Sequence, residues 1–214
     1  MQKIFLTVTL ILTMLTATAF AAENENESYE YTSETYGFKI MCPSKPAVVV
    51  KPFEDPNKKG EMLVFANDGM KIIFGYVIEL DAFDNMKVPD FNKGKKKIVE
   101  AYLERLRSEN AYNFVSLENV TKNNKGVVLV TAKEIEMKND KGEVEGTLTA
   151  EEQTAFTYFR SRSGRCISIQ LISADLDDSD YKDYRKSVAT FQDATDLSMP
   201  PENNKDNKSK KKKK

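Results

Sequence analysis

The run "EMLVFANDGMKIIFGYVIEL", Glu61–Leu80, constrains the fold more than any other part of this chain. Stretches rich in Val, Ile, Phe and Tyr flank Asn67-Asp68-Gly69, and Asp-Gly is a dipeptide that accepts the positive φ angles of a tight hairpin turn. A long hairpin cannot bury a face alone, so it requires further strands and a covering layer.

The remaining sequence supplies both. "YEYTSETYGFKIMCP" predicts two short extended runs around a Ser-Glu-Thr turn, and "AVVVKPF" a third strand. "YNFVSLENVT" and "GVVLVTAKEIEM" predict strands separated by Asn-Asn-Lys-Gly. "GTLTAEEQTAFTYFRS" and "CISIQLISA" predict two more, with turns at Asn139 to Gly142 and at Ser163-Gly164. Asp90, after Pro89, predicts the cap of a helix running to Asn110, with Ile98, Val99, Tyr102 and Leu106 on one face. Asp177, Asp178 or Ser179 predicts the cap of a last helix with a stripe of Tyr181, Tyr184, Val188 and Phe191. Strands, helix, strands, helix is the order of an α+β fold: an antiparallel β-sheet covered by helices in a layered α/β/α sandwich.

The ends differ in kind. "MQKIFLTVTLILTMLTATAFAA" begins with Lys3, continues apolar to Phe20 and places Ala19 and Ala21 around a cleavage point, the pattern of a secretory signal peptide over residues 1–21. Residues 22–28 are an acidic, Asn-rich lead-in, 29–197 a single domain, and 198–214 a lysine-rich tail without apolar periodicity, expected to be disordered. The expected location is secreted or periplasmic. The net charge of -1 conceals a domain at roughly -7, because Lys3 and the tail supply the compensating positive charge.

Histidine and tryptophan are absent and there are two cysteines. That composition excludes Ser-His-Asp and Cys-His nucleophile pairs, imidazole metal sites, and four-cysteine zinc or iron-sulfur sites. No residue pattern identifies a catalytic group, a metal ligand or a cofactor.

"YGFKIMCP", the turn-rich antiparallel middle, a central helix, and a last strand leading into a helix that ends "SVATFQ" together resemble the PsbP-like fold. That family includes the photosystem II extrinsic PsbP proteins, Ran-binding factors of the Mog type and exported bacterial proteins. The likeness spans Glu30 to Gln192. It implies a fold and a habit of docking to other macromolecules rather than catalysis, and it carries no partner-binding residue across.

Several constellations each admit a chemical and a plain reading. Export into an oxidising compartment predicts a Cys42–Cys166 disulfide joining the two ends of the domain; two buried thiols are the alternative. Lys93, Lys95, Lys96 and Lys97 crowd a helix start, but "NKGKKKIV" lacks the spacing of a phosphate loop and reads as a solvated cationic face. "DLDDSDYKDYRK" alternates Asp175, Asp177 and Ser179 like a calcium loop, yet has Asp180 at the turn glycine and Lys186 at the bidentate glutamate, so helix capping accounts for it. A four-residue turn at Asn139 to Gly142 predicts Glu136 opposite Glu145, with Glu134 and Glu143 on the same face. Those carboxylates read as a charged surface shared with Lys138, as calcium ligands, or as an acid and base pair of glycosidase type. Asn26, Asn119 and Asn207 begin glycosylation sequons.

Lys205, Lys208, Lys210, Lys211, Lys212, Lys213 and Lys214 form the strongest interaction signal, a cationic brush suited to anionic lipid headgroups or envelope polymers. The expectation is an exported, non-catalytic binding or assembly module whose partner is a protein or an anionic envelope component, not nucleic acid. The alternatives are a carboxylate-based envelope hydrolase and a soluble calcium- or small-ligand-binding protein.

Overall fold

The computed structural model describes residues 28–66, 72–83, 87–109, 111–139, 141–149, 153–173 and 178–199. The expected leader, the Asn67-Asp68-Gly69 turn, Asp175, Asp177 and the lysine-rich tail lie outside the described residues. Five strands come first: β1 (Tyr29–Thr32), β2 (Lys39–Cys42), β3 (Val48–Val50), β4 (Lys59–Ala66) and β5 (Ile72–Leu80). Helix α1 (Lys96–Ser108) precedes β6 (Tyr112–Asn119), β7 (Lys125–Thr131), β8 (Glu134–Lys138), β9 (Val144–Thr149), β10 (Thr154–Arg160) and β11 (Cys166–Ser173). Helices α2 (Asp178–Ala189) and α3 (Ala194–Leu197) follow.

Seven strands form one antiparallel sheet in the order β3-β4-β5-β11-β10-β7-β6, while β1-β2 and β8-β9 are separate two-stranded units. The two runs expected to form a hairpin pair as β4 and β5, with Leu63 opposite Tyr76 and Glu61 opposite Ile78. The α+β class is the one expected, with helices on both faces of the sheet.

Side-chain alternation assigns each face its cover. Leu63, Phe65, Tyr76, Ile78, Ala155, Phe159, Ile167, Ile169 and Leu171 pack against Tyr184 and Val188 of α2, Phe191 beyond it, and Phe38, Ile40 and Cys42 of the β1-β2 hairpin. On the opposite face, Val127, Leu129, Phe156 and Tyr158 meet Val99, Leu103 and Leu106 of α1. Met62, Val64 and Val77 form a smaller cluster with Val48, Val50 and Phe53.

The hairpin is held down by polar contacts as well as by its core. Buried Glu61 accepts hydrogen bonds from Tyr31 Oη at 2.8 Å and Ser33 Oγ at 2.9 Å. Lys39 exchanges two main-chain hydrogen bonds with Gln192, each 2.9 Å, which ties β2 to the chain leaving α2.

The central helix starts later than its sequence predicts. Asp90 closes a turn of its own: its carboxylate accepts from Asn92 N–H at 2.8 Å and Lys93 N–H at 2.9 Å, and its carbonyl from Gly94 N–H at 2.7 Å. That turn requires glycine, because a Cβ at Gly94 would meet the Asp90 carbonyl oxygen at 2.2 Å. Helix α1 therefore begins beyond it with no side-chain cap, and its buried face is Val99, Leu103 and Leu106, leaving Ile98 55% exposed.

Tyr184 is the polar keystone of the core. Fully buried, it donates to the Ile169 carbonyl at 2.6 Å and shares a 2.7 Å hydrogen bond with the Thr157 hydroxyl, linking α2 to β11 and β10. Tyr184→Phe keeps the ring and leaves buried Thr157 without that partner, so it should lower the unfolding free energy by about 1–3 kcal/mol, measured by urea denaturation.

Candidate functional site

Cys42 and Cys166 are both buried and are not joined in a disulfide, which corrects the expected bridge. Strand alternation supplies the reason. Ile167, Ile169 and Leu171 share a cluster with Cys42, so Cys166, one residue out of phase, points through to the opposite face of the sheet. There Arg160, its cross-strand partner, donates from Nη1 to Cys166 Sγ at 3.0 Å. Burial pushes the Cys42 thiol up to about 12, so it stays protonated at neutral pH.

The predicted lone strand "GVVLVTAKEIEM" divides in two. Ala132 turns its N–H to the Ala111 carbonyl at 2.8 Å, and the chain beyond it leaves the sheet as β8, which among the described residues pairs only with β9. The result is a two-stranded ribbon standing off the β7-β10 part of the sheet. Register and a bulge at Met137/Lys138 set Glu134 opposite Thr149, Glu136 opposite Thr147, and Ile135 opposite Leu148.

This register corrects the facing-carboxylate arrangement. Glu136 lies across from Thr147 rather than Glu145, and pairs with Lys138 at 3.4 Å. Glu143 is held by Asn139: Nδ2 donates to its Oε2 at 2.9 Å, and Asn139 Oδ1 accepts from the Glu143 and Lys141 N–H groups at 3.0 Å each. Gly142, at φ +80°, completes this tip. Asparagine and bulge chemistry consume the residues that a simple four-residue turn would have left paired.

One face of the ribbon is therefore Glu134, Glu136, Thr147 and Thr149, and the other is Ile135, Met137 and Leu148. Met137 lies across Gly146, where an added Cβ would come within 3.2 Å of its Cε. Met137 is 51% exposed and Leu148 54% exposed. The signal was present in the alternation of "EIEMK" and "GTLT", which reads as an ordinary half-buried strand when no sheet is known to lie beneath it.

Among the described residues, two clefts border α1. One of about 550 Å³ lies between β8 and the end of α1, lined by Arg107, Glu109, Tyr112, Lys133, Glu134 and Glu136. A second of about 410 Å³ is lined by Lys87, Asp90, Ile98, Tyr102 and Arg160, whose Nη2 donates to the Val88 carbonyl at 2.6 Å. Lys93, Lys95, Lys96 and Lys97 are exposed, and Lys96 pairs with Glu100 at 3.6 Å. Among the described residues, no three acidic or cysteine side chains are grouped to hold a metal. No helix among them is long and apolar enough to cross a membrane.

Two ion pairs hold carboxylates below their usual range. Arg165 donates from Nε to Asp81 Oδ1 at 3.1 Å and from Nη2 to Oδ2 at 3.2 Å, and these bonds hold the Asp81 carboxyl below its usual range. Arg185, from α2, does the same for Glu118 on the edge strand β6.

A free-thiol assay on the denatured, unreduced protein should count two thiols; none would restore the bridge. Depressed carboxylates contribute stability above their unfolded pKa of about 4 and lose it as pH falls through the folded value. Asp81→Asn combined with Glu118→Gln should therefore lower stability at pH 7 and flatten its decline below about pH 4, read as urea midpoints across pH. No family model matches the chain, and no curated protein matches it.

Proposed function

We propose that this chain is an exported, non-catalytic binding or assembly module that docks a protein partner through the β8-β9 ribbon. The observation that carries the reading is the apolar face of Ile135, Met137 and Leu148 on a ribbon that, among the described residues, pairs only with itself. An apolar stripe bounded by charged and threonine side chains is the composition of a docking surface rather than of a reaction centre. The resemblance to PsbP-like proteins, whose named members work by docking, supports the same class. The lysines at 205, 208 and 210–214 supply a second, salt-sensitive attraction that keeps the module near an anionic envelope surface.

The two contributions separate experimentally. Crosslinking and co-purification from the native source should recover a partner that survives high salt and truncation after Ser198. That capture should fall by about tenfold or more with Met137→Glu combined with Leu148→Glu, since each carboxylate would desolvate against an apolar surface. Exposed positions leave the fold intact, which circular dichroism checks. Undiminished capture by the double variant would remove the ribbon from the account, and loss of all capture with the tail would reduce the module to nonspecific attraction.

A further inference from the structure

We propose that β6 is a self-association edge, on which a second copy of this chain adds its own β6 antiparallel about a two-fold axis at Ser116. This inference is independent of the ribbon.

The seven-stranded sheet ends in two unlike edges. At one, β3 has three residues, with Pro46 shortly before it and Lys51-Pro52 directly after it, the short, proline-flanked form that blocks strand addition. At the other, β6 runs for eight residues, "YNFVSLEN", with neither proline nor lysine. Among the described residues nothing pairs with its outer side.

Register shows which main-chain groups that side offers. Val120 N–H donates to the Asn124 carbonyl at 3.0 Å, and alternation along the β6-β7 ladder then turns Glu118, Ser116 and Phe114 inward to Gly126, Val128 and Val130. The N–H and C=O groups of Val115 and Leu117 consequently point outward. An antiparallel copy centred on Ser116 matches Val115 with Leu117 of the second copy, and Leu117 with its Val115, so each outward group meets its complement.

Side chains agree with that register and with no odd-numbered shift of it. Val115 and Leu117 lie on the α1 face, so the pairing sets apolar against apolar there. On the other face Phe114, 44% exposed, lies opposite Glu118 of the second copy, whose charge Arg185 already neutralises. Ser116 meets Ser116. No like charges face each other across the axis. On α1, Lys96 pairs with Glu100 at 3.6 Å and Glu104 with Arg107 at 2.6 Å.

Sedimentation of the leader-free chain tests this directly. Wild type should sediment as a dimer at about 100 μM, Ser116→Lys and Ser116→Glu should each weaken self-association by about tenfold or more, and an equimolar mixture of the two variants should recover the dimer. Ser116→Cys, a near-isosteric change, covers the case where a charged variant fails to fold. Directly opposed, non-hydrogen-bonded strand residues have Cα atoms about 4.5 Å apart, within disulfide range, so this variant should form a covalent dimer under air oxidation. A wild type that stays monomeric overturns the proposal and leaves the edge to a foreign strand. A dimer indifferent to both charged variants, a mixture that stays monomeric, or no covalent product from Ser116→Cys each overturns it as well.

Discussion

Alternation along β11 is the constraint on which the rest of the structure depends. Ile167, Ile169 and Leu171 face α2 and the β1-β2 hairpin, while Cys166, Ser168 and Gln170 face the other way. A shift of one residue would exchange those sets, setting Cys166, Ser168 and Gln170 against α2 and the β1-β2 hairpin in place of three large apolar side chains. The shift is blocked from both sides, because β11 is paired along its length with β10 and with β5. Tyr184 adds a directional lock, since its hydroxyl reaches the carbonyl of Ile169 only in this register. The same alternation places the two cysteines on opposite sides of the sheet.

Stability and exposure are divided accordingly. The central strands carry the hydrophobic burial, worth about 1.5–3 kcal/mol for each large side chain removed from water. Buried Glu61 holds Tyr31 and Ser33, and Asp196 accepts from the N–H groups of Arg162 and Ser163 at 2.8 and 2.7 Å to fasten α3 to the β10-β11 turn. What extends beyond this framework is β-structure of another kind, a ribbon with an uncovered apolar face and an edge strand with uncommitted main-chain groups. Neither contributes to the two main core clusters except where Tyr112, Val115 and Leu117 of β6 pack beside α1.

Local chemistry was legible in the sequence to the extent that it determined local structure. The β4-β5 pairing and the buried stripe of α2 follow from residue alternation and helical spacing, whereas the turn expected at Asn123 to Gly126 lies earlier, at Val120 to Asn124, with Lys125 and Gly126 already paired in β7. The start of α1 was not legible, because Asp90 caps a turn as readily as a helix and only the Gly94 contact decides between them. The disulfide was misread because two cysteines on strands carry no information about which face of a sheet each strand presents. The ribbon was hidden for a related reason: "VTAKEIEM" has continuous strand propensity, and its departure from the sheet is set by the Ala132 to Ala111 hydrogen bond, a long-range contact. The Glu136 register failed where Asn139 and the Met137/Lys138 bulge replaced a regular turn.

The central claim is that a rigid sheet presents two β-elements left open for other chains. Residue-resolved amide hydrogen exchange across a range of protein concentrations tests it most directly. The account predicts slow exchange throughout β10 and β11, fast exchange in β8 and β9 of the isolated protein, and protection of the Val115 and Leu117 amides that rises with concentration. Ribbon amides as protected as those of β11, or Val115 and Leu117 amides whose protection ignores concentration, would contradict it.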